Sequence, residues 1–206
     1  VEMRDHLGTQ VERLSGGQLK RVSIASELLA EPSLFFLDEP TSGLDPGLDK
    51  KMMATMRQLA DKGRTVLLVT HATDNIKGQC DHVVFMAQGR MVYFGPPEEA
   101  ETFFEVQNFA DIYTGLEGRV EPENKVAQDL IAGTLQQEYA EWRANAQPGD
   151  KATLAELWEM KYKKSHQYRT YVTGRLANAP DMSPQGAANS AERPKQPRIS
   201  PLKQFA

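Results

Sequence analysis

The feature that most constrains this 206-residue chain is a short apolar run, Leu34-Phe35-Phe36-Leu37, set between Pro32 and Pro40 and closed by Asp38-Glu39. A run so brief and so apolar predicts a buried parallel strand rather than a helix. A second such run, Val66-Leu67-Leu68-Val69, follows it. Between the two, Met52, Met53, Met56 and Leu59 lie on one side of a helix predicted over 49–62, with Gly63 as its stop. Upstream, Leu19, Val22, Ile24, Ala25, Leu28 and Leu29 recur at helical spacing until Pro32 ends the helix. Downstream, Val83-Val84-Phe85-Met86 turns at Gln88-Gly89 into Met91-Val92-Tyr93-Phe94, a hairpin. Strand–helix–strand order with long crossovers predicts an α/β fold: a mainly parallel sheet with flanking helices.

From Pro96 the pattern becomes helical. Helices are predicted over 97–104, where Glu98 and Glu99 sit near the positive end of the dipole, and over 125–142 and 152–176. In the last of these, Leu154, Leu157, Trp158, Tyr162, Tyr168 and Val172 favour one face, which suits packing against the rest of the chain. Residues 180–201 hold five of the twelve prolines and little apolar content, as an extended linker does. The division expected is 1–95 as an α/β unit, 96–179 as a helical extension, and 180–206 as a linker ending in the start of a further helix or in a disordered tail. The chain starts at Val1 and stops where a helix begins, so it is expected to be a piece of a longer protein. A start codon just upstream of Val1 would contradict that.

Charge and cysteine content narrow the chemistry. The net charge is −4 and the pI about 5.6, which disfavours binding nucleic acid through overall positive charge. Cys80 is the only cysteine, so neither an intrachain disulfide nor a cysteine-based zinc site is possible, and four scattered histidines suggest no metal site. No apolar run approaches the ~18 residues of a membrane span. Residues 1–10 are polar and charged, unlike a signal peptide.

Four places carry chemistry. Asp38 and Glu39 end a strand where α/β sheets bind ligands; such a pair can hold Mg²⁺ and orient an attacking water, and it also ends ordinary solvent-facing strands. Ser15-Gly16-Gly17-Gln18 opens a helix with free N–H groups that suit a phosphate, though serine–glycine helix starts are common. His71 follows the second strand at the same sheet edge, as a functional or a structural histidine. Asp45, in Ser42-Gly43-Leu44-Asp45, reads equally as a turn acid or helix cap.

Taken together these are one ordered set: LSGGQ at 14–18, LFFLDEPTSGLD beginning sixteen residues after Gln18, and Val69-Thr70-His71 about thirty residues after Glu39. Over about residues 1–105 the chain resembles the nucleotide-binding domain of ABC transporters. The resemblance implies a P-loop NTPase-like fold, ATP and Mg²⁺ as cofactors, and a second such domain as partner. It implies that Asp38 holds Mg²⁺ largely through water, Glu39 polarises the attacking water and His71 contacts the γ-phosphate. Ser15, Gly16, Gly17 and Gln18 would grip the ATP of the opposing subunit, and Asp45 would couple the two sites.

The phosphate-cradling G-x-x-x-x-G-K-[ST] is absent, and only thirteen residues precede Leu14, where the family places Walker A and the Q-loop upstream. The chain therefore looks like the C-terminal half of such a domain, with no ATP binding or hydrolysis expected of it alone. Residues 89–99 (GRMVYFGPPEE) and Arg21-Val22-Ser23-Ile24-Ala25 are similar to the G-subfamily, white-like or pleiotropic-drug-resistance type. That type implies an exporter with a C-terminally fused ABC-2 membrane domain, at the cytoplasmic face of the membrane. His71-Ala72-Thr73 differs from the His-Gln-Pro of eukaryotic members and looks closer to bacterial fused half-transporters. The alternatives are a soluble ABC ATPase acting on ribosomes or DNA, against which no heptads or second motif set appear, and a non-catalytic module, which the intact Glu39 and His71 disfavour.

Overall fold

The computed structural model describes residues 3–73, 75–177 and 179. Two short 3₁₀ turns (Arg4–His6 and Val11–Arg13) lead into α1 (Gly16–Leu29), β1 (Leu34–Asp38), α2 (Pro46–Asp61) and β2 (Thr65–Val69). Strands β3 (Val83–Ala87) and β4 (Arg90–Gly95) follow. Helices α3 (Pro97–Phe104), α4 (Phe109–Leu116), α5 (Lys125–Gly133), α6 (Gln136–Asn145) and α7 (Leu154–Lys164) complete the bulk. A π-helical turn (Tyr168–Thr173) and α8 (Gly174–Ala177) come last. The expected linker over 180–206 lies outside the described residues.

β1 and β2 pair in parallel, Phe35 opposite Val66 and Phe36 opposite Leu67, so the 34–69 segment is a strand–helix–strand crossover. β3 and β4 form a separate antiparallel pair. Their turn places Gln88 at φ 49° and Gly89 at φ 76°, the double positive φ that lets a two-residue loop follow the strand twist.

β1 departs from the expected fully buried strand. It alternates: Phe35 is buried and Leu37 packs with Ile24, Met52 and Met56, while Leu34 and Phe36 face outward with Leu67 and Val69. Phe36 is 69 % exposed. α1 and α2 cover one face of the pair, and no described residue covers the other.

The larger core joins the hairpin to the extension. Phe85, Val92 and Tyr93 pack with Phe103, Phe104, Ile112, Trp158 and Tyr162. This bears out the aromatic face of α7: Trp158 lies 4.9 Å from Phe104, and the Tyr162 hydroxyl donates to Phe94 C=O at 3.0 Å. At the hairpin turn Arg90 reaches Glu156 at 2.9 Å and Glu159 at 2.7 Å on α7.

Helix boundaries differ from the sequence expectations for local reasons. α2 begins at Pro46, not residue 49, because Asp45 caps it. The helix expected over 125–142 is two: after Gly133 the N–H groups of Thr134 and Leu135 both return to Leu130 C=O, and the chain turns so that Leu135 is fully buried. The helix expected over 152–176 starts at Leu154, where Thr153 and Glu156 form a capping box, and stops at Ser165. Ser165 leaves helical geometry at ψ 161°, and its Oγ accepts from Tyr168 N–H, restarting the chain as a π turn. α4 was not expected, although Phe109, Ile112 and Leu116 recur at helical spacing and all three are buried. Among the described residues no helix is long and apolar enough to cross a membrane.

Candidate functional site

Ser15 is the N-cap of α1. Its Oγ accepts from Gln18 N–H at 3.3 Å, and Gln18 Oε1 accepts from Ser15 N–H at 2.8 Å, a reciprocal box. The other end of the Gln18 amide donates to His6 Nε2 at 2.8 Å. The glutamine is thus fixed at both ends, and His6 enters the site without any sequence signal for it. The first intrahelical bond runs from Leu19 N–H to Ser15 C=O. The N–H groups of Gly16 and Gly17 therefore lie ahead of the ladder, at the positive end of the helix.

The two glycines differ. A Cβ on Gly17 would meet Leu44 Cδ2 at 3.1 Å, so Gly17 lets the 42–45 loop close onto α1. A Cβ on Gly16 would meet nothing within 4 Å. Between α1 and that loop lies an open cleft of about 500 Å³, lined by Ser15, Gly16, Gly17, Gln18, Arg21 and Asp45 among others. Asp45 has the local role anticipated as one of its alternatives: its Oδ1 accepts from Gly47 and Leu48 N–H, both at 3.0 Å, as the N-cap of α2.

The second cluster stands at the carboxyl ends of β1 and β2. Asp38 ends β1, exposed. Glu39 continues in the left-handed region at φ 47°, and its N–H still donates to Val69 C=O at 2.8 Å. His71 Nδ1 stands 2.8 Å from Glu39 Oε1, with the imidazole largely exposed. Nδ1 bearing the proton would donate to the carboxylate and leave Nε2 facing outward. The backbone of Glu39 is held as well: its carbonyl accepts from Ser42 N–H at 3.2 Å and from the Lys20 ammonium. The phenol of Tyr113 on α4 is pushed up, first by burial and then by the Glu39 carboxylate. Neither Lys20 nor Tyr113 stood out in the sequence. Tyr113 shares α4's helical repeat, whereas Lys20 is one of several lysines on helices and only the fold sets it against Glu39.

The structure thus brings Glu39 and His71 into contact and gathers Ser15, Gly16, Gly17, Gln18 and Asp45 around one cleft. Asp38 belongs to the strand end beside Glu39, not to the cleft lining. Among the described residues no three His, Cys, Asp or Glu side chains group as a metal cage.

Comparison with known proteins bears on about half of the chain. Residues 1–42 match the family model described as ABC transporter. The "ABC transporter ATP-binding/permease protein Rv1747" of Mycobacterium tuberculosis is 50 % identical over 115 residues, 55 % of this chain and 13 % of that protein. The "Arginine transport ATP-binding protein ArgV" of Corynebacterium glutamicum is 49 % identical over 104 residues, 50 % of this chain and 41 % of that one. The chain spans less than half the length of each. A solved structure, the ADP conformation of MJ1267, an ATP-binding cassette of an ABC transporter, is 33 % identical with a TM-score of 0.43, covering 50 % of this chain and 41 % of that one. By sequence, about half of this chain is similar to ATP-binding proteins of ABC transporters.

Proposed function

We propose that this chain is the carboxyl-side part of the ATPase domain of an ABC-type exporter, working as a dimer at the cytoplasmic face of the membrane with an ABC-2 membrane domain fused after it. One observation carries the reading: the capped, glycine-bearing start of α1 opens into the same cleft as Asp45, while Glu39 and His71 pair at the carboxyl ends of the adjoining parallel strands. The identity with an ATP-binding/permease protein supports a fused arrangement.

The residues fit ATP and Mg²⁺. The space over Gly16 and the two N–H groups ahead of the ladder suit a phosphate oxygen approaching the backbone. An exposed carboxylate at the strand end, Asp38, suits a cation that keeps most of its waters. When bound, Mg²⁺ and ATP supply the phosphoryl group and its charge compensation. Ser15, Gly16, Gly17 and Gln18 bind the γ-phosphate held by the opposing subunit, and Asp45 links the cleft to α2. Glu39 has one oxygen engaged by His71, and its Oε2 is the atom that accepts the proton of an attacking water. His71 Nε2 is left to reach a phosphate.

With no G-x-x-x-x-G-K-[ST], the 206-residue chain alone lacks the lysine and glycine loop that hold ATP in cis, and it should turn over no ATP. The outward-facing apolar set Leu34, Phe36, Leu67 and Val69 is a sheet face that the rest of the domain would cover. The test is ATPase turnover of the full-length protein beside that of the 206-residue chain. The full-length enzyme should hydrolyse ATP and lose about a hundredfold or more with Glu39→Gln. Turnover by the short chain that Glu39→Gln abolishes would overturn the half-domain reading. Equal turnover by wild type and Glu39→Gln would overturn the role of Glu39.

A further inference from the structure

The backbone at Glu39 is unusual. A non-glycine residue at φ 47° persists only where its surroundings over-determine it. Here the determinants are countable by partner. Glu39 N–H is held by Val69 C=O on β2. Its carbonyl accepts from Ser42 N–H in the loop and from the Lys20 ammonium on α1. Pro40 follows, fully buried; its ring fixes its own φ and restricts the ψ of Glu39. The Val69 and Ser42 partners are both backbone groups. Lys20 is different: it is a charged side chain, half-buried, arriving from an element 19 residues earlier in the sequence.

Lys20 also lies just over one turn beyond Ser15 and Gly16 on the same helix. The first turn of α1 lines the cleft; the next holds the carbonyl of the residue whose carboxylate pairs with His71. A helix moves as a unit, so a shift of its amino end shifts the ammonium with it.

We propose that Lys20 is a positioning residue for Glu39: it fixes the left-handed backbone that aims the carboxylate at His71, and it ties that aim to whatever occupies the cleft at the start of α1. This rests on the reading of Glu39 as the acid that acts on water. The ammonium itself touches no reacting atom. Its effect falls on the orientation of the carboxylate, and so on kcat rather than on nucleotide affinity.

The experiment is steady-state ATP hydrolysis by the full-length protein carrying Lys20→Met or Lys20→Arg, with thermal melting of each. Lys20→Met should lower kcat by between about tenfold and a hundredfold, with KM for ATP within about twofold of wild type and Tm unchanged. Lys20→Arg keeps a cationic donor and should recover most of the loss. A Lys20→Met kcat within about twofold of wild type would overturn the proposal. So would a loss that follows a fall in Tm and that arginine does not relieve, since the lysine would then serve only the fold. Failure of the underlying reading is seen separately, as equal turnover by wild type and Glu39→Gln, and takes the proposal with it.

Discussion

Gly16 and Gly17 sit side by side on α1 and are asked for different things. Gly17 makes room for Leu44 inside the chain, whereas the space over Gly16 is open. Alanine at 16 should therefore leave Tm unchanged or slightly raised, because alanine suits a helix better, and yet lower ATP turnover of the full-length protein by about tenfold or more. Melting and kinetics of that one variant separate fold from ligand. Ser15→Ala should act the other way, costing about 1 kcal/mol of stability through the lost cap, measurable by urea unfolding. At this scale the residues of the candidate site are largely legible in the sequence. LSGGQ, Asp38-Glu39, Asp45 and His71 could be picked out because their types and order are unusual together. His6 and Lys20 could not, since nothing about an isolated histidine or lysine states which distant backbone or amide group the fold will set against it.

α7 carries much of the extension's packing. Trp158 is 3 % exposed, its Nε1–H donates to Gly115 C=O at 3.0 Å, and its ring lies under the Lys161 ammonium. Trp158→Ala should cost about 3–5 kcal/mol, read as a fall in denaturant midpoint. The same helix holds Glu159: burial alone would raise its carboxyl, but hydrogen bonds from Lys163 and Arg90 outweigh that and keep it below the usual range. The π turn and α8 close back on the hairpin through His82. Its ring stacks on Phe94 at 5.2 Å, and Arg175 donates to its Nε2 at 3.0 Å. Burial first, then Arg175, lowers the His82 pKa, while Asp81 opposes them. The folded chain therefore binds fewer protons than the unfolded one. This contribution to stability is full above the unfolded value of about 6.5 and is lost as pH falls from there through the lower folded value. Tm should drop between pH 8 and pH 5.5, and His82→Phe should flatten that part of the profile. Element types were legible from periodicity, but ends were not. Asp45, Leu135 and Ser165 each decide a boundary through a cap or a buried turn, and periodicity carries no trace of such contacts.

The described residues form two cores of unequal size. A small one joins Ile24, Met52 and Met56 under β1 and β2, and a large aromatic one joins the hairpin to α3–α7. Amide hydrogen exchange should be slowest in β3, β4 and α7 and faster in α1 and β1, whose outer face is bare of described residues. The aromatic distribution makes that division visible to light. Both tryptophans of the chain, Trp142 and Trp158, belong to the helical extension, the first stacked on Tyr139 and the second sealed against Phe104. Indole emission excited at the red edge is consequently a private channel of the extension, silent about the half that bears LSGGQ and Glu39. With Trp142 changed to phenylalanine, the remaining signal comes from one shielded indole. Its wavelength shift times the opening of the aromatic core, and any transition in circular dichroism that it fails to follow belongs to the other half.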